Sequence, residues 1–194
     1  MVDGCTVFAG HGGFVVGSEM SGGVKNVLVK NCQFLGTDVG LRVKSCRGRG
    51  GVVENIYVKD VNMTNIPNEG LLFDLFYGGK GAGEETEEEL AARMNAEAPA
   101  VSAETPQFKN IYISDCTATN VKHCMYFNGL PEMKIQNVQL RNIKMQGQEG
   151  ALLRQTDGLV IDHVQITPTD GNAFVLAPTV TNLQWKHVVY QRRD

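Results

Sequence analysis

Six eleven-residue lines of the chain superimpose without gaps: VKNVLVKNCQF (24–34), VENIYVKDVNM (53–63), FKNIYISDCTA (108–118), IQNVQLRNIKM (135–145), TDGLVIDHVQI (156–166) and VTNLQWKHVVY (180–190). Their starts are spaced by 29, 55, 27, 21 and 24 residues. Inside each line apolar and polar positions alternate with a period of two, as at Val27 and Val29 or Ile111 and Ile113. That is the spacing of a strand with one buried face, not of a helix. A second short apolar run follows: GLRVKS (40–45), GLLFDLF (70–76), CMYFNGL (124–130), ALLRQT (151–156) and AFVLAP (173–178).

The polar punctuation is as regular as the apolar rows. The third position holds Asn26, Asn55, Asn110, Asn137, Gly158 and Asn182, and the eighth holds Asn31, Asp60, Asp115, Asn142, His163 and His187. Two or more short strands per repeat, broken by Asn, Asp and Gly, predict an all-β, right-handed parallel β-helix. Each coil has one inward row that it cannot bury alone, and equivalent asparagines of stacked coils can pair as a ladder. Cys32 and Cys116 share the ninth position with Val61, Ile143, Val164 and Val188, which makes them core fillers. Leucine-rich horseshoes need regularly spaced Leu, and these lines use Val and Ile.

The spacing of 55 reads as one period plus an insertion. Residues 79–106, GKGAGEETEEELAARMNAEAPAVSAETP, break the alternation. Thr86 followed by Glu89 has the form of a capping box, and good helix formers come after it, so a short acidic helix is expected there. It is either a solvated helix or a lid or oligomer contact. The rest of residues 1–194 is expected to form a single β-helix domain.

Composition narrows the function classes. At 42% hydrophobic and 20% charged, the chain is that of a globular protein. A net charge of -3 without a run of Lys or Arg speaks against a nucleic-acid partner, and no apolar stretch reaches the roughly 18 residues of a membrane span. Five cysteines without a C-x-x-C pair fit neither a zinc site nor a dense disulfide framework. His123, His163 and His187 are scattered over different repeat positions except for the last two, which replace Asn in the ladder, and no metal or other cofactor is expected.

The candidate chemistry lies in the first 77 residues. In GLRVKS, Leu41 and Val43 point one way and Arg42 and Lys44 the other, which sets two cations roughly 7 Å apart on one face. By spacing alone the pair is either a solvated basic stripe or a site for a substrate with repeating carboxylates. RGRGG (47–51) adds Arg47 and Arg49 among glycines that allow close approach, and it is either an extension of that site or a basic turn. His11, in GHGGFVVGSE, has no bulky neighbour to shield it, and is either merely exposed or a hydrogen-bond partner or proton relay. The loop lacks the G-x-x-x-x-G-K-[ST] spacing of a phosphate cradle.

GHGGFVVGSE followed one coil later by GLRVKS resembles the Gly-His-Gly loop and R-[IV]-K strand of glycoside hydrolase family 28, the polygalacturonases. GHGG, GSE, GLR and RGRGG together are most similar to its bacterial exo-acting branch. The resemblance implies a pectin-lyase-like solenoid that hydrolyses α-1,4 bonds between galacturonate units with inversion. It also implies that His11 matches the active-site histidine and that Arg42 and Lys44 match the pair holding the galacturonate carboxylate. Tyr77 matches the family's active-site tyrosine by position. The implied partner is a galacturonate polysaccharide or oligosaccharide, the implied location secreted or periplasmic.

Inverting hydrolysis needs one carboxyl to protonate the leaving oxygen and one carboxylate to activate water. In the family these come from an Asn-Thr-Asp segment and an Asp-Asp pair upstream of the Gly-His-Gly loop, and neither segment occurs here. GTD at 36–38 falls a coil too late for that role. The chain is therefore expected to be the C-terminal portion of such an enzyme, inactive alone, with an open N-terminal edge suited to self-association. A non-catalytic β-helix that binds acidic polysaccharide, or a purely structural solenoid, is the alternative. A pectate lyase would need calcium-binding acidic clusters, and the only acidic cluster is the helical insertion.

Overall fold

The computed structural model describes residues 1–77, 86, 88, 89, 92 and 97–190. Among the described residues, twelve strands build one parallel sheet system: β1 Val2–Asp3, β2 Thr6–Phe8, β3 Phe14–Val16, β4 Val24–Leu35, β5 Leu41–Lys44, β6 Val52–Asp74, β7 Gln107–Asn128, β8 Ile135–Arg154, β9 Thr156–Pro168, β10 Phe174–Leu176, β11 Gln184–Lys186 and β12 Val189–Tyr190. Each coil pairs with the next in the order β4, β6, β7, β8, β9, β11. Parallel crossovers are right-handed because of strand twist, and the result is the expected right-handed β-helix.

The register is that of the sequence repeat. Val24 pairs with Val53, Val53 with Phe108, Ile111 with Val138, Val138 with Leu159, and Gln184 with Val160. Because β6 pairs directly with β7, the spacing of 55 is one coil with an insertion. The inward row is a single core that includes Phe34, Phe73, Phe108, Phe127, Ile56, Ile111, Leu140 and Ile161. Cys32 and Cys116 lie in it as expected, each about 1% exposed, and burial pushes the Cys116 thiol up to about 12.

The punctuating residues prove to be a backbone requirement as well as a ladder. Asn26, Asn55, Asn110, Asn137 and Asn182 have φ between 50° and 59°, and the second column from Asn31 to His187 between 50° and 55°. Left-handed backbone is costly for residues other than Gly, Asn and Asp, which explains the restricted alphabet at these corners. A third such corner, at Asn65 and Asn120, has no counterpart in the aligned lines. Stacked amides then bond across coils: Asn55 donates to Asn26 at 3.0 Å, Asn110 to Asn55 at 3.3 Å and Asn137 to Asn110 at 2.8 Å.

In the insertion, Thr86 and Glu89 form a reciprocal capping box. The Thr86 N–H donates to Glu89 Oε2 and the Glu89 N–H to Thr86 Oγ1, both at 3.1 Å, and Glu88, Glu89 and Ala92 are helical. The other residues of the expected helix lie outside the described residues. The end of the insertion docks on the RGRGG loop, where Gly48 and Gly50 N–H groups donate to the Glu104 carbonyl. A Cβ on Gly50 would stand 2.2 Å from the Ala103 carbonyl oxygen, so the close approach these glycines allow is to this chain's own backbone.

Candidate active site

Strand β5 alternates as the pattern predicts: Leu41 and Val43 are buried, and Arg42 and Lys44 face outward. One coil earlier β3 runs beside β5, and the loop before β3 is tied down by Gly13 N–H donating to the carbonyls of Val39 and Gly40. A side chain at Gly13 would strike the Phe34 ring, with its Cβ 2.2 Å from Cγ. The glycines around His11 thus let the loop lie against the next coil. Asp38 N–H donates to the Gly10 carbonyl, which sets Asp38 beside His11.

The result is a chain of three polar side chains. His11 Nδ1 lies 2.8 Å from Asp38 Oδ2, and Arg42 Nη1 lies 2.7 Å from His11 Nε2. A guanidinium can only donate, so His11 Nε2 accepts and its proton resides on Nδ1, donated to Asp38. Asp38 therefore fixes the tautomer and orientation of the ring. The Arg42 Nε is buried and has no hydrogen-bond partner among the described residues. A buried unpaired donor of a charged group is costly unless a ligand satisfies it.

Tyr77 joins the same cluster. Its N–H donates to the Ser45 carbonyl at 3.0 Å, and its ring centroid lies 4.2 Å from Lys44 Nζ and 5.6 Å from the Arg42 guanidinium carbon. His11, Arg42, Lys44 and Tyr77, separated by up to 66 positions in sequence, are thus brought to one corner of the coil. Arg47 and Arg49 are not. Arg47 is clamped by Glu132, with Nε to Oε1 at 2.5 Å and Nη2 to Oε2 at 2.8 Å, and it lies over Phe76. Arg49 pairs with Glu19 at 2.5 Å. The expected part of these two arginines in binding an anionic substrate gains no geometric support, since both guanidiniums are taken up by carboxylates of the chain. The Arg47 pair holds the Glu132 carboxyl below the usual carboxylate range.

Three carboxyl groups near this corner were not singled out from the sequence. Asp38 was set aside because GTD follows His11, and only the backbone pairing of the two loops shows why it matters. Asp74 is the register partner of Lys44, is 9% exposed, and accepts from the Phe76 N–H and the Asn128 amide. Glu69 is 4% exposed, and burial raises its carboxyl above the ordinary value, opposed in part by the charges of Arg42 and Lys122. Neither residue carries a motif, and their importance comes from burial alone.

The outward face continues along the stack. Leu72, Tyr126 and Leu152 follow Arg42 in register, flanked by Glu69, His123 and Glu149 on one side and Asp74, Asn128 and Arg154 on the other. Beyond Leu72 this face opens into a groove of about 690 Å³ bordered by Lys122, His123, Tyr126, Leu152, Arg154 and Asn172.

The fold is thus a parallel β-helix that gathers a histidine, two outward cations and a tyrosine at one corner. The family model of glycosyl hydrolases family 28 matches residues 1–117, and the chain belongs to that family. A polygalacturonase of Ralstonia solanacearum is 32% identical over 152 residues, which are 72% of this chain and 24% of that protein. An exo-poly-alpha-D-galacturonosidase of Dickeya chrysanthemi is 30% identical over 112 residues, 57% of this chain and 17% of that protein. The crystal structure of a hyperthermoactive exopolygalacturonase from Thermotoga maritima superimposes with a TM-score of 0.60 at 22% identity, over 95% of this chain and 33% of that one, a likeness of fold. The chain spans about a quarter of the length of the Ralstonia solanacearum relative.

Proposed function

We propose that this chain supplies the carboxylate-binding wall of a pectin-degrading glycoside hydrolase that cleaves α-1,4-galacturonosyl bonds with inversion. The observation that carries this reading is the Asp38–His11–Arg42 chain with Lys44 and Tyr77 beside it and the Arg42 Nε left without a partner. A galacturonate carboxylate is planar and matches the Arg42 fork, while Lys44 adds a compact charge. The Tyr77 ring packs against both cations. His11, oriented by Asp38, keeps Arg42 aimed and offers its ring to a sugar hydroxyl or to the proton traffic of the reaction.

Hydrolysis by inversion additionally requires an acid and a base on opposite faces of the scissile bond. The Asn-Thr-Asp and Asp-Asp segments that supply them in the family are absent from these 194 residues. The chain on its own is expected to bind galacturonate oligomers and to release no reducing ends from polygalacturonate. Turnover comparable to that of a full-length family member would overturn this, and absence of any preference for acidic over neutral oligomers would overturn the binding role. A non-catalytic solenoid that binds acidic polysaccharide is favoured by the missing aspartates alone. It is excluded if activity appears once an upstream segment carrying both motifs is joined to this chain.

A further inference from the structure

Two histidines that the sequence places in different repeats meet at the last coils. His163 and His187 occupy the corner column filled by Asn31, Asp60, Asp115 and Asn142 in the other coils, with the same left-handed backbone, φ 52° and 51°. Where Asn142 continues the amide ladder by donating to Asp115, the two imidazoles stack instead, with centroids 4.3 Å apart and planes inclined by 28°. Both turn Nδ1 toward the same carboxylate oxygen, Asp162 Oδ1, at 2.7 Å from His163 and 3.3 Å from His187. All three donor atoms lie within 4.8 Å of one another, and the rings are 61% and 70% exposed.

The geometry points to a binding site for a divalent transition metal ion, of which zinc is the representative, at Asp162, His163 and His187. Two imidazoles and one carboxylate are the ligand types that such ions prefer, and ligand atoms around zinc stand roughly 3 to 3.5 Å apart. The 3.3 Å from His187 to Asp162 Oδ1 already lies within that range, and the 2.7 Å from His163 falls just short of it. Three protein ligands leave positions for water, as the exposure of the rings requires. On binding, each neutral ring moves its proton from Nδ1 to Nε2 and presents the Nδ1 lone pair.

The ligands come from two coils. Asp162 and His163 belong to β9, whereas His187 lies between β11 and β12, which join β9 through only three and two residue pairs. A bound ion therefore staples the last coil to the one before it, independently of the galacturonate site.

Titration of the full chain with zinc chloride in a non-chelating buffer tests this, with hydrogen exchange of residues 184–190 as a second readout. One equivalent is expected to bind and to slow exchange across 184–190. His163→Asn and His187→Asn restore the residue type of the ladder and keep the fold. Each is expected to weaken binding by at least the roughly ten-fold that loss of an outer-shell partner costs a metal site. Asp162→Asn is expected to do the same, and His11→Asn to leave zinc binding unchanged. The proposal is overturned by no uptake at about 100 µM zinc. Unaltered affinity in the His163→Asn/His187→Asn double variant, or binding that follows His11, overturns it equally.

Discussion

Replacing Arg42 by Met separates a binding role from a structural one. In the free protein the side chain is a mixed asset. Its Nη1 donates to a His11 ring that is 72% exposed, a bond worth about 0.5–1 kcal/mol at such a surface, and its contact with Tyr77 adds about 0.5–1 kcal/mol. Against these stands the buried Nε without a partner, which costs about 1–3 kcal/mol. The terms cancel to within about 1 kcal/mol, which for a chain of this size means a change in Tm of no more than about 2–4 °C. A galacturonate carboxylate would bond the outward part of the guanidinium, and a charge-assisted hydrogen bond of about 1.5–3 kcal/mol corresponds to roughly 10- to 150-fold in affinity. Calorimetric titration of Arg42→Met with trigalacturonate and with neutral galactotriose, at low salt, is expected to show this loss for the acid and none for the neutral sugar. Equal loss for both ligands, or a fall in Tm beyond about 10 °C, would refute the carboxylate role.

Three further outcomes follow from the fold and the site. Asn55→Ala loses both ladder bonds and adds the strain of a left-handed alanine, whereas Asn55→Gly loses only the bonds; thermal unfolding should place the alanine variant lower by about 1–2 kcal/mol, and equal melting would remove the backbone explanation. Glu69 has a raised folded-state carboxyl, so its protonated form contributes stability that is full below the ordinary glutamate value of 4.5 and fades as pH rises through the raised one. Urea unfolding should accordingly show Glu69→Gln more stable than the parent at neutral pH and the gap closing toward pH 4.5; a gap that widens in acid contradicts the burial assignment. Tyr77→Phe keeps the ring beneath Lys44 and should retain most of the galacturonate affinity, while Tyr77→Ala should lose several-fold, with equal affinities for the two variants counting against the ring contact.

Much of the architecture was legible in the one-dimensional pattern. Period-two alternation identified the strands, and the offsets between repeats became the pairing register residue for residue, because a coil can stack on its neighbour only where equivalent inward residues meet. The alternation in GLRVKS was enough to put Arg42 and Lys44 on the outer face. The glycines of RGRGG suggested close approach, but not that residues 103–104 of the insertion are what approaches. The partner of Arg47 was out of reach in the same way, for Glu132 lies 85 residues on and no local pattern links the two.

By itself the sequence determined the coil, the core row, the capping box and the corner alphabet, since each is set by a residue's own backbone preference or by neighbours at a fixed period. Only the tertiary structure decided which polar groups became partners. Asp38 reaches His11, Glu69 is enclosed near Arg42, and His163 meets His187 over one carboxylate because stacking brings residues of successive coils to strand separation, about 4.8 Å. At that range hydrogen-bond angles and burial determine which charges are spent within the fold and which remain for a ligand. A repeat pattern specifies which coils are neighbours; it does not specify where each side chain places its polar atoms.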